Sequence, residues 1–218
     1  MISIRLESLA TYVNYNDKII DIGCDHALLD IYLVKNKLVK SLIASDIHKK
    51  ALDAGIENIN KNNLQDKIDA RLGDGLSVLT KKDKVDTIII SGMGTTTILN
   101  ILNNKYLKNI KKLIIQSNND HYELRKNIIN MGFTIKNENF IIDNNKYYIN
   151  IVFIRGESPK YSKKELIYGP YLIHNKVYVQ HKIDENTKIL GYIPKKKLIL
   201  RLKLKNEIKY LNKLLKSN

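Results

Sequence analysis

The sequence predicts an α/β protein whose mostly parallel, doubly wound sheet of seven strands ends in an antiparallel hairpin, followed by an α-helical hairpin. Three observations lead there. Short apolar runs alternate with helix-period segments over the first 159 residues. The last two strand-like runs of that stretch are joined by Asn144-Asn145 alone. The remaining residues are helix-periodic and strongly basic.

Five apolar runs come first, at residues 18–23, 41–46, 68–72, 86–91 and 113–117. Runs of this length suit strands buried on both faces of a parallel sheet. Between them, residues 26–37 place Leu29, Ile31, Leu33 and Val34 at helical spacings. Residues 49–60, 95–102 and 122–131 follow the same period. Asp120, with Glu123 three residues on, reads as a capping box. Met131-Gly132 reads as a helix stop. The order implies right-handed crossovers in a doubly wound sheet. Residues 133–143 and 146–155 then form a hairpin. Beyond Gly156-Glu157-Ser158-Pro159, residues 165–183 and 195–217 read as two helices with Gly191-Tyr192-Ile193-Pro194 as their turn. Leu198, Leu202, Ile208, Leu211 and Leu215 lie near one face of the second, so the pair is expected to pack as a hairpin. The predicted domains are residues 1–158 and 159–218.

Composition narrows the function. The chain has 218 residues, 44% hydrophobic and 27% charged, with no apolar run of membrane-spanning length. Its start shows no basic-then-apolar leader pattern. Cys24 is the only cysteine, so neither an internal disulfide nor a multi-cysteine metal site is available, and a reducing cytoplasm is expected. The histidines are dispersed, and no metal is expected. The net charge is +15, of which residues 160–218 carry +11 (15 basic against 4 acidic residues). Concentrated charge of this kind points to a polyanionic partner, nucleic acid before membrane, or to a solvated helical face.

Strand ends are where open α/β sheets bind ligands. Gly23 follows the first strand, where Asp21 also sits. Asp46 ends the second, placed to accept from two ribose hydroxyls. Asp74, between Gly73 and Gly75, follows the third, placed to accept from an adenine amino group. A pyrophosphate cofactor needs bare backbone in the first loop. Here Asp25 stands in Gly23-Cys24-Asp25-His26-Ala27, and its charge repels a pyrophosphate but suits the cations of S-adenosylmethionine. Taken singly, each residue also fits a plain structural role: Asp46 a helix cap, Gly73-Asp74-Gly75 a turn, His26 a helix start, Cys24 a small filler. Their joint placement at three consecutive strand ends favours the cofactor.

Several strings carry a closer likeness. They are Arg5-Leu6 with Leu9-Ala10, Asp21 through Ala27, Gly73-Asp74-Gly75-Leu76, Gly92-Met93-Gly94, Leu113-Ile114-Ile115-Gln116 with Asn118, and Gly169-Pro170-Tyr171-Leu172. In this order they resemble the bacterial tRNA (adenine-N1)-methyltransferase family that modifies adenine 22. The resemblance implies a class I, Rossmann-like methyltransferase domain, S-adenosylmethionine as cofactor and tRNA as partner, with a C-terminal helical, coiled-coil-like domain. It implies cofactor contacts from Asp21, Gly23, Cys24, Asp46, Ile47, Gly73, Asp74, Gly75, Ser91, Gly92 and Met93. Asp25, His26 and Asn118 are the catalytic candidates. Arg5, Gln116, Lys195, Lys196, Lys197 and Arg201 are the RNA-contacting ones. Three departures stand out: Ser117 where the family commonly has Pro, Cys24 where Ser or Thr is common, and Thr95 where Gly often follows Gly94. A methyltransferase for another RNA, a protein or a small molecule, and a non-catalytic RNA-binding protein, are the competing readings. A monomer or weak dimer, with no membrane association, is expected.

Overall fold

In a computed structural model, residues 2–217 are described, and the chain divides between Lys160 and Tyr161 into two compact units. The first unit holds a seven-stranded sheet. Its strands are β1 (Ile19–Ile22), β2 (Leu42–Asp46), β3 (Ile68–Leu72), β4 (Thr87–Met93), β5 (Lys112–Ser117), β6 (Phe133–Asp143) and β7 (Lys146–Arg155). Their spatial order is β3-β2-β1-β4-β5-β7-β6. The first five are parallel, and β7 pairs antiparallel with both β5 and β6. This is the mixed sheet that the sequence predicts. The order reverses direction between β1 and β4, so the ligand crevice opens there.

The apolar runs become strands because both faces are covered. In β4, Ile88, Ile89 and Ile90 are all fully buried, and so are Leu113, Ile114 and Ile115 in β5. On one face, Ile19, Leu42, Ala44, Ile68, Ile89 and Ile114 join a core with α1 (Ile4–Ala10), α2 (Leu28–Lys35) and α3 (Lys49–Lys61). Two further helices, α4 (Thr95–Leu102) and α5 (His121–Asn130), pack on each other, and α5 also packs on β6. The helix α1 lies outside the sequence-predicted elements. Ser3 caps it by accepting from Leu6 N–H.

A buried ion pair ties α5 to β6: Arg125 Nε donates to Glu138 Oε1 at 2.6 Å, and both side chains are solvent-free. Glu138→Ala leaves a guanidinium without its buried counter-charge. Its expected cost is about 3–5 kcal/mol, read as a lower denaturant midpoint at unchanged slope.

The capping box at Asp120 does not form. Asp120 adopts a left-handed conformation (φ 47°) and its side chain caps nothing. The loop is instead held across the sheet: the Thr95 hydroxyl donates to the Asn119 carbonyl at 2.7 Å, and Thr95 N–H donates to Asn119 Oδ1 at 2.9 Å. Tertiary hydrogen bonds outcompete the local cap.

The second unit contains α6 (Lys163–Tyr168), α7 (Lys176–Tyr192) and α8 (Leu198–Ser217). Its core is Tyr168, Leu172, Ile173, Tyr178, Val179, Ile183 and Leu211. Tyr168 stacks on Tyr210 at 5.9 Å, and its hydroxyl donates to Glu207. The single helix predicted over residues 165–183 is broken at Gly169-Pro170. Gly169 takes φ 92°, and the residue before a proline avoids helical geometry. A short 3₁₀ turn (Leu172–His174) follows, and Asn175 starts α7 by accepting from Tyr178 N–H. The predicted turn also shifts: Tyr192 stays helical, and residues 193–197 make the connection. The packing stripe predicted for α8 holds only in its second half. Leu211 is fully buried, whereas Leu198 and Leu202 are 72% and 61% exposed.

Candidate active site

The carboxyl ends of β1, β2 and β4 and the loop after β3 enclose a cleft of about 600 Å³. Arg5, Asp21, Gly23, Cys24, Asp25, His26, Asp46, Ile47, Gly73, Asp74, Gly75, Ser91, Gly92 and Met93 all line it. Parallel pairing brings them together. Asp21 lies beside Ala44 and Ile22 beside Ser45, so the loop after β1 and the end of β2 leave the sheet at one level.

The first loop is wound tightly. Gly23 has φ 77°, a conformation that strains any side chain, and a Cβ there would sit 2.3 Å from Met93 Cε and displace the methionine tip. Asp25 and Ala27 also take positive φ, at 50° and 54°. Such strain needs support from elsewhere. Asp46 Oδ2 accepts from Asp25 N–H at 3.1 Å, and Asn58 on α3 donates to the His26 carbonyl at 3.1 Å. The Asp25 and His26 side chains are thereby held at the cleft, exposed, with Asp25 Oδ1 3.6 Å from His26 Nε2.

Asp46 is 6% exposed. Its other oxygen, Oδ1, accepts from His48 N–H at 2.8 Å. Each carboxylate oxygen has two lone pairs, so Oδ2 keeps one for a ligand, and Oδ1, which also lies 3.3 Å from His48 Nδ1, takes a ligand in place of that exposed ring. His48, which also lines the cleft, went unassigned at the level of sequence, although it stands two residues beyond a strand-end acid. Ile47 is 57% exposed at the rim, an apolar surface open to a flat ring.

Asp21 is buried, and its Oδ1 has no hydrogen-bond partner. Burial, reinforced by the charge of Asp46, pushes its carboxyl up to about 7. Behind it, in the first turn of α2, Asp30 is fully buried with neither oxygen hydrogen-bonded. Burial and then the charge of Asp21 raise it well above the carboxylate range. Sequence inspection passed over Asp30 because it sits inside an apolar helix pattern, and that flanking is itself the signal. Burial, with Asp30, Asp21 and Asp46 nearby, also pushes the Cys24 thiol far up, so it stays protonated and unreactive.

A second cluster flanks the cleft. Arg5 Nε donates to Gln116 Oε1 at 2.6 Å, and the guanidinium lies 5.2 Å from the Tyr148 ring centre. A Cβ on Gly92 (φ 77°) would meet Arg5 Nη2 at 2.9 Å, so glycine admits the arginine to the β4 end. Gln116 is a correction to the predicted RNA-contacting set. It is fully buried, and its amide nitrogen donates to Asn150 Oδ1 at 2.5 Å, so both its polar ends are occupied and it holds Arg5 in place.

Asn118 does not line the cleft itself, but it is tied to the bulged end of β4. Its side-chain Nδ2 donates to the Gly92 carbonyl at 2.7 Å and its N–H to the Met93 carbonyl at 2.9 Å. Ser117 is buried. Its hydroxyl lies 2.9 Å from Thr95 Oγ1 and donates to the Asn119 carbonyl at 2.9 Å. The Thr95 and Ser117 hydroxyls thus converge on one carbonyl and hold the loop.

A family model described as tRNA (adenine(22)-N(1))-methyltransferase matches residues 19–217. The chain belongs to this family. A Bacillus subtilis tRNA (adenine(22)-N(1))-methyltransferase is 31% identical over 158 residues, covering 72% of this chain and 66% of that one. The M. capricolum TrmK structure, in complex with S-adenosyl-homocysteine, is 33% identical, with a TM-score of 0.86 over 99% of this chain and 98% of that one. The Streptococcus pneumoniae protein Sp1610, in complex with S-adenosyl-L-methionine, is likewise 33% identical, with a TM-score of 0.88 over 99% and 100%. The tRNA (adenine(22)-N(1))-methyltransferase family thus shares both units of this chain, since the match runs into α8. Among the described residues, no helix is long and apolar enough to cross a membrane, and no three His, Cys, Asp or Glu residues are grouped to hold a metal ion.

Proposed function

We propose that this chain transfers the methyl group of S-adenosylmethionine to N1 of adenine 22 in tRNA. One observation carries the reading: the acids Asp21, Asp25, Asp46 and Asp74 converge on a single cleft, and Asp25 fills the place that a pyrophosphate would need bare. The cofactor fits the residues present. Asp21 offers an orphaned, buried carboxylate oxygen for its ammonium. Asp46 accepts from the ribose hydroxyls and Asp74 from the adenine amino group. Ile47 and Met93 cover the ring faces, and Gly23, Gly73, Gly75 and Gly92 form the turns of the cleft wall. Cys24 and Ser91 complete the wall.

The cofactor supplies a methyl group on a cationic sulfur. Adenine N1 carries its own lone pair, so no protein nucleophile is required. The chain must hold N1 in line at roughly 3–3.5 Å and stabilise the charge that develops on the base. Asp25, with His26 beside it, supplies that negative charge, and Asn118 hydrogen-bonds the base edge. N1 lies on the Watson–Crick edge, so the target base must leave any pairing. Arg5 holds a neighbouring phosphate. Lys195, Lys196, Lys197 and Arg201 in the second unit add phosphate contacts, which position RNA without reading its bases. The protein works in the cytoplasm as a monomer or weak dimer.

The direct test is methyl transfer from labelled cofactor to an unmodified tRNA transcript. Label is expected at nucleotide 22 and absent from a transcript with guanine there. Labelling at another adenine would exclude the assigned position.

Cofactor binding should also depend on pH. A carboxyl with a raised pKa is neutral below that value, and only its ionised form attracts a cation. Affinity for S-adenosylmethionine is therefore expected to rise up to about tenfold per pH unit as pH approaches 7, then level off. The sign is opposite for stability of the free protein. Unfolded Asp21 ionises near 4, so its burial costs stability progressively as pH rises from about 4 to about 7. Calorimetric titrations across this range, with Asp21→Asn expected to flatten the profile, check both the pH range and the residue.

A further inference from the structure

The tip of the α7–α8 hairpin combines two properties that rarely share a surface. Tyr192, Leu198, Ile199 and Leu202 are 76%, 72%, 75% and 61% exposed. Residues 186–206 hold seven lysines and arginines and no acid. The two kinds of side chain interleave: Lys196, Lys197, Leu198, Ile199, Leu200 and Lys203 line one shallow depression. The tip is also braced. Arg201 Nη1 donates to the carbonyls of both Leu190 and Ile193, satisfying the end of α7 and fixing the connection. An exposed apolar patch of this kind marks a site of interaction.

We propose that this tip docks on RNA, seating unstacked nucleobases on Tyr192, Leu198 and Ile199 while Lys196, Lys197 and Lys203 hold the flanking phosphates. The proposal rests on the reading that the substrate is tRNA, and it adds the class of RNA feature engaged. Phosphates alone would call for lysines on a polar surface. A paired stem offers no free base faces along its length, whereas loops present splayed bases to apolar and aromatic side chains. A second copy of the chain is disfavoured as occupant, because two acid-free tips with seven cations each would meet at close range. Nucleic acid supplies the opposite charge and the flat apolar faces together.

The test uses the full chain. Leu198→Ser/Ile199→Ser and, separately, Tyr192→Ser remove apolar surface and keep every charge. Lys196→Ala/Lys197→Ala does the reverse. Each apolar variant is expected to weaken binding of unmodified tRNA about tenfold. The slope of log affinity against log salt should not change, nor should binding of heparin, a polyanion without bases. The lysine variant should reduce that slope by about 0.7 per lysine and weaken heparin binding as well. Unchanged affinity for S-adenosylmethionine and unchanged helix content show that each variant is folded. The proposal is overturned if both apolar variants bind tRNA like the parent, or if they lose heparin equally. It is also overturned if the parent sediments as a dimer that Leu198→Ser/Ile199→Ser dissolves. The same holds if these variants lose only binding to vesicles of anionic phospholipid. A parent protein that fails to methylate tRNA would instead refute the functional reading. An active parent, with tip variants that bind tRNA undiminished, would sink the docking proposal alone.

Discussion

Asp46→Ala is expected to weaken S-adenosylmethionine binding by about 10²–10⁴-fold. Two hydrogen bonds from ribose hydroxyls to a carboxylate contribute roughly 1.5–3 kcal/mol each, and alanine removes both. The variant also removes the acceptor of Asp25 N–H and His48 N–H, so the first cofactor loop loses its anchor. Asp46→Asn separates the two contributions. It keeps one acceptor oxygen and the side-chain shape, and its loss should be about tenfold. Calorimetry reads both variants. Affinity within threefold of the parent for Asp46→Ala would show that the ribose lies elsewhere.

Asn118→Ala is expected to lower the methyl-transfer rate by about 10²–10³-fold with little change in cofactor affinity. With Nδ2 tied to Gly92, the side chain offers Oδ1 as a preorganised acceptor for the adenine N6 amino group, and an acceptor placed where positive charge develops is worth this much in the transition state. Asn118 is preorganised here: its amide and its backbone are both tied to the end of β4, and Ser117 and Thr95 fix the loop behind it. Single-turnover rates at saturating tRNA separate chemistry from binding. If turnover is unaltered, Asn118 is only a structural clamp on Gly92.

The limits of sequence reading follow the range of the forces involved. Parallel strands were legible because a segment buried on both faces must be apolar throughout, as residues 88–90 and 113–115 are. Asp46 and Asp74 were legible because strand ends are fixed by local pattern, and parallel pairing places those ends together. Residues 165–183 carry a helical period throughout, but the local break at Gly169-Pro170 overrides it. The failed cap at Asp120 depends on Thr95, a partner 25 residues away in sequence.

By itself, the sequence determined the α/β class, the seven strands, the basic second unit and most of the acids around the cleft. These depend on residue type and on periods of two or 3.6, which local physics enforces. Tertiary structure alone decided the rest. It buried Gln116 and turned it into a support for Arg5, 111 residues away. It placed Asp30 unpaired behind Asp21, and it set the Thr95 and Ser117 hydroxyls on the Asn119 carbonyl, next to Asn118. It also left Leu198 and Ile199 in solvent rather than in a core. Burial and hydrogen bonding between distant segments depend on which surfaces meet, and no local pattern encodes that.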